Sequence, residues 1–556
     1  MSTETQPLLS IQELNVNFAT DAGTVHAVKQ TSIDVQPGEV MAVVGESGSG
    51  KTVTAKTVLK LLPETAYTSG AVLVNGRDVL SLSGHQLREL RGKDAAMVFQ
   101  EPSTALNPVY TIGWQIAEGL RAHDRKLTKK QAKAKAIEVL TKVGIPDAEN
   151  RVNYYPHQFS GGQKQRIVIA MALALDAKLI LADEPTTALD VTVQAEILDL
   201  LRHVKDEFGA AVLLITHNMG VVADLADRVT VMFNGEVVES APVRELFAEP
   251  KQEYTRLLLD AVPHLGRDSA SAGGVVPERT GEPVVVARGL EIEYPGGLGQ
   301  KAFKAVKGVD FELYPGEVFG LVGESGSGKT TIGRAIAGLT RASGGSLKVL
   351  GQEMVGFKEK DVKPLRQRIG FVFQDPAASF NPQLTIGECV AEPLAVHRRE
   401  LKPEQRRARA AELLEAVQLP GDYAKRYPHE LSGGQRQRAS LARSLALDPE
   451  LLIADEPTSA LDVSVQAKVL ELFKELQAEL GFATVFISHD LAVVDMLAHR
   501  IGVLYHGELV EVGIGSQILN EPKHPYTQRL IGSLPVPDPV EQEQRRLARL
   551  QQSNTV

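Results

Sequence analysis

Short, almost wholly apolar segments alternate along the chain with longer stretches that favour helix. Val40–Val44 and Val318–Val322 each run directly into a glycine-rich loop, and helix-favouring stretches follow at Thr52–Leu62 and Thr330–Leu339. Four later apolar runs have the pattern of strands that are buried on both faces of a parallel sheet. These runs are Leu179–Ala182, Ala211–Thr216, Leu451–Ala454 and Ala483–Ser488. Strands and helices in alternation predict an α/β fold with a mainly parallel sheet whose faces are covered.

The same segments occur twice, in the same order. Gly-Glu-Ser-Gly-Ser-Gly-Lys-Thr begins at Gly45 and again at Gly323, which is 278 positions later. Ser160, Asp183 and His217 each have a counterpart 272 positions further along the chain. Solenoid repeats have periods of roughly 20–50 residues, so this much longer period indicates a duplicated domain.

The segment between the two copies has the composition of a linker. Residues 266–283 are rich in Gly, Ala, Ser and Pro without periodicity, which favours a flexible connection. After Pro539 the chain is rich in Gln, Glu and Arg, and we expect a short helix or a frayed end there. The predicted organisation is a first domain at 1–263, a linker at 264–283, a second domain at 284–538 and a tail at 539–556.

Composition and charge exclude several classes of protein. The chain has 556 residues, of which 43% are hydrophobic and 23% are charged, as in an ordinary globular protein of several domains. Lys and Arg number 60 and Asp and Glu number 69, for a net charge of −9. This mild acidity argues against a dedicated nucleic-acid binder, which carries a basic domain or stripe.

The cysteine content and the length of the apolar runs indicate in which cellular compartment the protein works. Cys389 is the single cysteine, which excludes an internal disulfide framework and a cysteine-based zinc or iron–sulfur site. The N-terminus lacks the basic start and apolar core of a signal peptide. The longest unbroken apolar run, Ile167–Leu175, has nine residues, whereas a membrane-spanning helix needs about 20. We therefore expect a protein of the reducing cytoplasm that does not cross a membrane unaided.

The repeated glycine-rich segment has the phosphate-binding pattern Gly-x-x-x-x-Gly-Lys-Thr. Its glycines let backbone N–H groups surround phosphates, and the helix that follows presents its positive end. We expect Lys51 and Lys329 to reach the β and γ phosphates of ATP, and Thr52 and Thr330 to bind Mg²⁺. A plain glycine-rich turn is the alternative, but strand, loop and helix recur together in both copies. The predicted nucleotide-binding residues of the loops are Gly45, Glu46, Ser47, Gly48, Ser49, Gly50, Lys51, Thr52, Gly323, Glu324, Ser325, Gly326, Ser327, Gly328, Lys329 and Thr330.

Two adjacent acids end an apolar strand in each copy. They are Asp183 with Glu184, and Asp455 with Glu456. Acids are also common where a strand turns into solvent. Beside a phosphate loop, however, the pair predicts that the Asp helps to bind Mg²⁺ and that the Glu polarises the attacking water.

A third repeated segment, Ser-Gly-Gly-Gln, opens a helix-favouring run in each copy. Serine is a good N-cap, and Gly-Gly exposes backbone donors to an anion, although a plain capped helix is the simpler interpretation. At this point the chain resembles the ABC ATPase family, whose signature motif is Ser-Gly-Gly-Gln, and the resemblance covers nearly the whole chain, once per half. The matching residues are Ser160, Gly161, Gly162, Gln163, Ser432, Gly433, Gly434 and Gln435.

The resemblance implies roles for further residues. Phe18 and Tyr294 match an aromatic residue that stacks on adenine, but both also fit alternating strand patterns that could face a core. Asp190 and Asp462 match the D-loop of the family. The implied catalytic residues are Glu184, Glu456, the switch histidines His217 and His489, and the Q-loop glutamines Gln100 and Gln374. The implied metal-binding residues are Thr52, Gln100, Asp183, Thr330, Gln374 and Asp455.

The resemblance also implies an architecture. It predicts two tandem P-loop ABC ATPase domains, each with a mainly parallel sheet core, a helical subdomain and an antiparallel β region. In that family two domains pair head to tail, and ATP lies between the phosphate loop of one and the signature of the other. We therefore expect a pair within one chain. Because both sets of residues are complete, we expect both sites to hydrolyse ATP.

Segments near the Q-loop and signature narrow the resemblance to the oligopeptide/dipeptide importer ATPases, a group that nickel and glutathione importers share. These segments are 100–108, 155–162, 374–382 and 427–434. Residues 524–530 also resemble the C-terminal segment of that group, and 252–258 is a looser first copy. The implied partners are two transmembrane permeases and, indirectly, an extracytoplasmic substrate-binding protein, with the chain at the cytoplasmic face of the inner membrane. Residues 101–120 and 375–394 are expected to receive the coupling helices of the permeases, with Trp114 in that contact or in packing.

A soluble tandem ABC ATPase that acts on ribosomes or nucleic acid is the alternative. Such relatives have a long charged linker, whereas the linker here is short and rich in small residues. Basic stretches at Arg121–Lys135 and Arg398–Arg409 have the pattern of solvated helix faces, so we expect no nucleic acid. The cargo stays open at this point between peptide, nickel, glutathione and other small solutes.

Overall fold

The computed structural model divides into two compact units. The first unit comprises Met1–Val262 and Pro535–Val556, and the second comprises Pro263–Leu534. The described residues are 6–20, 23–187, 189–263, 279, 281–296, 302–459 and 461–553. Most of the predicted linker and the last residues of the predicted tail lie outside these ranges.

In the described part of the first unit, ten strands form two sheets. The strands are β1 Leu9–Thr20, β2 Gly23–Val35, β3 Val40–Val44, β4 Ala66–Val74, β5 Arg77–Asp78, β6 Ala95–Val98, β7 Leu179–Asp183, β8 Ala211–Ile215, β9 Arg228–Phe233 and β10 Glu236–Pro242. The smaller sheet is antiparallel, in the order β2-β1-β4-β5. The larger sheet has the order β10-β9-β3-β8-β7-β6, and β9 through β6 are parallel while β10 is an antiparallel edge.

Helices cover the larger sheet of the first unit. They are α1 Lys51–Val58, α2 Gly84–Lys93, α3 Pro102–Ala105, α4 Ile112–His123, α5 Lys129–Lys142, α6 Ala148–Arg151, α7 Gly161–Leu173, α8 Val191–Phe208, α9 Met219–Leu225, α10 Val243–Ala248 and α11 Glu253–Asp260. Helices α3 to α7 lie between β6 and β7 in the chain, and α7 packs against α3, α4 and α5. They form the predicted helical subdomain.

The second unit repeats this topology in its described residues. Its strands are β11 Val285–Tyr294, β12 Phe303–Leu313, β13 Val318–Val322, β14 Gly344–Val349, β15 Gln352–Glu353, β16 Ile369–Val372, β17 Leu451–Asp455, β18 Ala483–Ile487, β19 Arg500–Tyr505 and β20 Glu508–Ile514. The sheet orders are β12-β11-β14-β15 and β16-β17-β18-β13-β19-β20. In the larger sheet only the β19–β20 pair is antiparallel.

The helices of the second unit occupy corresponding places in the chain. They are α12 Lys329–Ile336, α13 Glu359–Val362, α14 Pro376–Ser379, α15 Ile386–His397, α16 Pro403–Ala416, α17 Gly433–Ser444, α18 Val463–Leu480, α19 Leu491–Leu497, α20 Gly515–Asn520 and α21 Pro525–Gly532. One more helix, α22 at Pro539–Ser553, belongs to the first unit, where it contacts α9 and α10.

The parallel strands are buried on both faces because alternate residues enter different cores. Val40, Ala42 and Val44 pack in a core with the helices, whereas Met41 and Val43 pack in a core that the antiparallel sheet shares. This double burial explains the continuous apolar runs and confirms the predicted α/β class with an antiparallel region. Within the described ranges, no helix has the length and apolar character needed to cross a bilayer.

Candidate functional site

Each phosphate loop surrounds its own lysine. Lys51 Nζ donates hydrogen bonds of 2.8 Å to the carbonyl oxygens of Gly45 and Glu46. Lys329 makes the corresponding bonds in the second unit, at 2.7 and 2.8 Å. Both lysines are buried, so each loop holds a positive charge at the start of the following helix. Such a charge beside a helix N-terminus is suited to bind an anion.

Glycine is required at two turns of the loop. Gly45 has φ +146°, and a Cβ there would lie 2.1 Å from the Met232 carbonyl oxygen. Gly50 has φ +98°, and its Cβ would lie 2.6 Å from the Ala27 carbonyl oxygen. A side chain at either place would push the loop away from its neighbours, so these glycines serve close approach as well as backbone freedom.

The threonine after each loop lysine meets the Asp at the end of the neighbouring strand. Thr52 Oγ1 donates to Asp183 Oδ1 at 2.9 Å, and Thr330 Oγ1 donates to Asp455 Oδ1 at 2.8 Å. Burial raises the pKa of both carboxyls above the ordinary value, although the threonine hydrogen bonds oppose that shift. A hydroxyl and a buried carboxylate are hard oxygen ligands, so both pairs fit a divalent cation such as Mg²⁺.

These oxygens do not form a complete metal site by themselves. In the part of the chain that the structure describes, no three or more His, Cys, Asp or Glu side chains cluster as metal ligands. Mg²⁺ in nucleotide sites keeps waters and takes ligands from phosphates, so one or two protein oxygens per site are sufficient.

Glu184 collects the other predicted catalytic residues of the first unit. Its carboxylate accepts a hydrogen bond from Gln100 Nε2 at 2.7 Å and lies 3.0 Å from His217 Nδ1. Thr187 Oγ1 donates to it at 2.9 Å. The structure therefore brings the Q-loop, the strand end and the switch histidine to one carboxylate.

Glu456 has the same surroundings in the second unit. Gln374 Nε2 donates to its carboxylate at 2.9 Å, and His489 Nδ1 lies 3.4 Å from it. Both glutamates have φ +46°, a left-handed conformation that non-glycine residues rarely adopt and that occurs at functional sites.

The histidines lower the pKa of both glutamates. Burial would raise the pKa of Glu184, but the hydrogen bond and charge of His217 lower it below the ordinary value. The pKa of Glu456 is lowered in the same way by His489. Burial would lower the pKa of His489, but Glu456 raises it above the ordinary value. An ionised carboxylate with fixed neighbours can orient a water molecule or accept its proton.

Each signature segment forms a capped helix start. Ser160 Oγ accepts from Gln163 N, and Gln163 Oε1 accepts from Ser160 N, both at 3.3 Å. Ser432 and Gln435 form the same reciprocal pair. The second glycine is required by packing, because a Cβ on Gly162 would lie 2.3 Å from Val193 Cγ1.

The two predicted adenine-stacking residues differ in their surroundings. Phe18 is partly buried and packs against a hydrophobic core. Tyr294 is 38% exposed, and its hydroxyl lies 3.3 Å from Thr331 Oγ1, directly after the phosphate loop. Asp190 and Asp462 occupy the N-cap positions of α8 and α18.

The sequence did not predict that one tyrosine from elsewhere in the chain contacts each phosphate loop. The Tyr254 hydroxyl accepts a hydrogen bond from Glu46 N at 3.2 Å, and the Tyr526 hydroxyl accepts from Glu324 N at 3.0 Å. The Tyr254 ring packs against Phe233, with ring centroids 4.3 Å apart and the ring planes tilted by 37°. The signal that could have found them is the repeated Tyr-Thr, 272 positions apart.

Comparisons with known proteins agree with this geometry. The ABC transporter family model matches residues 28–187 and 306–459, and the model of the oligopeptide/dipeptide transporter C-terminal region matches 238–283 and 510–555. The peptidoglycan transport ATP-binding protein YejF of Agrobacterium fabrum (strain C58) is 47% identical over 540 residues, 96% of this chain and 97% of that protein. The glutathione import ATP-binding protein GsiA of Escherichia coli (strain K12) is 44% identical over 571 residues, 97% of this chain and 91% of that protein.

Among solved structures, the ATP-binding cassette MJ0796, in a post-hydrolysis state bound to ADP and Pi, is 33% identical and has a TM-score of 0.39. That match covers 41% of this chain and 98% of the cassette. The family models and the two full-length relatives carry the assignment. This chain belongs to the ABC transporter family, in the oligopeptide/dipeptide group, as an ATP-hydrolysing protein with two fused nucleotide-binding domains.

Proposed function

We propose that this chain powers the import of short peptides, or of small solutes that contain peptide bonds. The observation that carries the proposal is that a complete ATPase set and the oligopeptide-type C-terminal region both occur in each half. The cargoes named for the two relatives support it, since glutathione is a tripeptide and peptidoglycan contains peptide stems. Two permeases form the path, an extracytoplasmic binding protein delivers the cargo, and the chain works at the cytoplasmic face of the inner membrane.

We infer that the two ATP sites are shared between the halves. One half contributes the phosphate loop and its Asp, Glu, Gln and His to each site. The other half contributes its signature. The first site combines Lys51 and Glu184 with Ser432–Gln435, and the second combines Lys329 and Glu456 with Ser160–Gln163. Covalent linkage raises the effective concentration of each half for the other, which favours this intramolecular pair over a homodimer.

The residues around Glu184 supply the chemistry of hydrolysis. Glu184 orients the attacking water, Gln100 and His217 hold its carboxylate in place, and Lys51 binds the phosphates. Thr52 and Asp183 hold Mg²⁺, which when bound neutralises charge on the phosphates. Because the γ-phosphate contacts both halves only before hydrolysis, its loss releases the closed pair and drives movement of the permeases.

A groove on the helical subdomain of the first unit supports permease docking. It has a volume of about 490 Å³ between α4 and α5, and Trp114, Arg121 and Lys133 are among its lining residues. Trp114 is 45% exposed and stacks on Tyr110 with ring centroids 4.0 Å apart. An exposed aromatic pair beside the Q-loop segment suits the apolar face of a short permease helix.

Co-purification tests the importer proposal. The chain is purified with its partners from gently solubilised membranes of its own host cells, and the proteins that accompany it are identified. We expect two membrane-spanning permeases. Recovery of ribosomes without permeases would overturn the importer proposal in favour of the soluble alternative.

Turnover of ATP tests the assignment of the two glutamates. Glu184→Gln and Glu456→Gln are made separately and together, and ATP binding is measured as a control. We expect the double variant to lose at least ~100-fold in turnover, since general-base contributions are of that order, while it still binds ATP. Parental turnover in the double variant would show that neither glutamate is the base.

A further inference from the structure

The end of the chain packs on the first unit, although in sequence it follows the second copy. Helix α22 at Pro539–Ser553 contacts α9, Met219–Leu225, which begins two residues after the switch histidine His217. At the entry to this helix, Pro535 lies so close to Gly220 that a Cβ on the glycine would be 2.8 Å from the Pro535 carbonyl oxygen. The contact therefore depends on glycine at this position of α9.

A buried amide joins the tail to α9. Gln542 is buried, and its Oε1 accepts a hydrogen bond of 2.9 Å from Val536 N within the tail. Its Nε2 donates to Asp224 Oδ1 at 3.1 Å. The Asp224 side chain is only 3% exposed, so loss of Gln542 would leave a buried carboxylate without one of its donors.

An ion-pair network extends this contact to α8. Arg202 lies 3.2 Å from Asp224 and 3.0 Å from Asp199. The other oxygen of Asp199 accepts from Arg549 of the tail helix at 2.7 Å. Arg202 and Arg549 are each 18% exposed in their side chains, and partly buried networks of this kind are more effective than isolated surface pairs. A further pair joins Arg244 of α10 to Glu543 at 2.8 Å.

The duplicated sequence provides an internal comparison for the receiving face. At the positions 272 residues later, the second copy lacks the two features that contact the tail most closely. Gly220 becomes Ala492 and Asp224 becomes Met496, whereas Asp199 and Arg202 keep their charges as Glu471 and Lys474. The added Cβ and the lost carboxylate remove the close approach and the acceptor for the amide. The receiving face is thus a property of the first copy.

The same comparison shows that the contact residues of the tail are specific to the second copy. Its counterpart in the first copy is 263–281, in the glycine- and serine-rich linker. There Ala270 stands in the place of Gln542, and Pro277 stands in the place of Arg549. By sequence, each copy therefore carries the residues of one half of the contact and not those of the other half.

We propose that α22 is an intramolecular strap that holds α9 and His217 of the first unit in place, so that the two ATP sites are not equivalent. The strap fixes α9, the helix that begins two residues after His217. It thereby fixes the position of His217 beside Glu184. The site with Lys51 has this support, whereas α19, beside the site with Lys329, has Ala492 and Met496 in place of the residues that receive the strap. The effect on turnover rests on the proposed roles of His217 and Glu184, whereas the docking of the strap does not.

Hydrogen–deuterium exchange of the full chain tests the docking. Gly220→Ala with Asp224→Met gives the first copy the residues of the second, and Gln542→Glu places a second carboxylate beside Asp224 from the tail side. We expect the amides of 539–553 to exchange at least ~10-fold faster in both proteins. The control, Ala492→Gly with Met496→Asp in the second copy, leaves their exchange unchanged. Parental exchange in both test proteins would overturn the strap.

Steady-state ATP turnover tests the consequence. Gln542→Glu is combined with Glu456→Gln, which leaves the Glu184 site active, and separately with Glu184→Gln, which leaves the Glu456 site active. We expect turnover to fall ~2- to 10-fold in the first background only, as for mutations that alter coupling between elements. If Gln542→Glu lowers turnover equally in both backgrounds, or in neither, the two sites are equivalent. That result would overturn the inequality of the sites even if the amides of the tail exchange faster with solvent. If the glutamates are not the catalytic bases, Glu456→Gln and Glu184→Gln alone will each keep parental turnover. That outcome separates failure of the proposed function from failure of the strap.

Discussion

At the scale of single residues, Glu184 is where most of the predicted chemistry of the first unit meets. It directly follows a buried strand, has a left-handed backbone at φ +46°, and is contacted by Gln100 and His217 from separate segments and by Thr187 three residues further along. Such strain persists only where the surroundings hold the residue firmly. The position of this carboxylate therefore depends on contacts from three different side chains.

Removal of the histidine should change the pH dependence of hydrolysis. The proposed base, Glu184, is active while it is ionised, and its activity is lost as pH falls through its pKa. His217→Ala removes both influences of His217 that lower the pKa of Glu184, so burial, which raises that pKa, is opposed only by the smaller influences of Thr187 and Lys51. In the Glu456→Gln background, we expect the acid limb of the kcat–pH profile to move to higher pH. An unmoved limb would show that His217 does not set the ionisation of Glu184.

The hydroxyl of Tyr254 should support ATP binding through the phosphate loop. Tyr254→Phe removes the acceptor for Glu46 N but keeps the ring that packs near Phe233. One hydrogen bond is worth about 0.5–1.5 kcal/mol, so we expect KM for ATP to rise ~2- to 10-fold with kcat little changed. Tyr526→Phe in the second unit is the matched comparison. A change in kcat alone would contradict a role in loop positioning.

At the scale of elements, close helix packing explains why the second residue of the Gly-Gly pair in the signature is glycine. The capping role of the signature does not require it. Ser160 and Gln163 alone satisfy the cap of α7, yet Gly162 lies where α7 meets α8. In the second unit a Cβ on Gly434 would likewise lie 2.3 Å from Val465 Cγ1. The Gly-Gly pair was predicted to expose donors to an anion, and the structure adds this packing constraint to its second member.

The two glycines of the signature should differ in their effect on stability. In Gly162→Ala the new methyl group would overlap Val193, and overpacking of this kind costs about 1–3 kcal/mol. In Gly161→Ala the nearest atom is Leu189 Cδ2 at 3.9 Å, so we expect little change. Thermal unfolding of the two variants measures the difference. Equal melting temperatures would show that α7 can shift to admit the methyl group.

At the scale of the whole molecule, the chain is a duplication whose halves have diverged away from the phosphate loops. The loops, strand ends and signatures have equivalent contacts in both units. By contrast, Trp114 follows Thr111-Ile-Gly, whereas Glu388 stands at the same place after Thr385-Ile-Gly, where it completes a capping box. Divergence of this kind fits the proposal that the chain works with two permeases.

Trp114 should couple hydrolysis to transport. Trp114→Ala removes an exposed aromatic surface from the groove between α4 and α5 and leaves the phosphate loop untouched. We expect peptide uptake with the permeases to fall while ATPase activity of the isolated chain stays near parental. Tyr67→Ala is the control, since Tyr67 is 66% exposed on the antiparallel sheet. Parallel loss of uptake and ATPase activity, or unfolding, would contradict a coupling role.

The sequence by itself determined the duplication, the α/β class and the residues of the phosphate loops. These features depend on local chemistry: glycine conformations, a lysine at a helix start and strand patterns that both copies repeat. Only the tertiary structure decided that Tyr254 contacts the loop, 208 positions away, and that α22 belongs to the first unit. Such contacts depend on which surfaces the folded chain brings together. A local pattern such as the repeated Tyr-Thr can mark a residue, but it does not specify which surface that residue contacts.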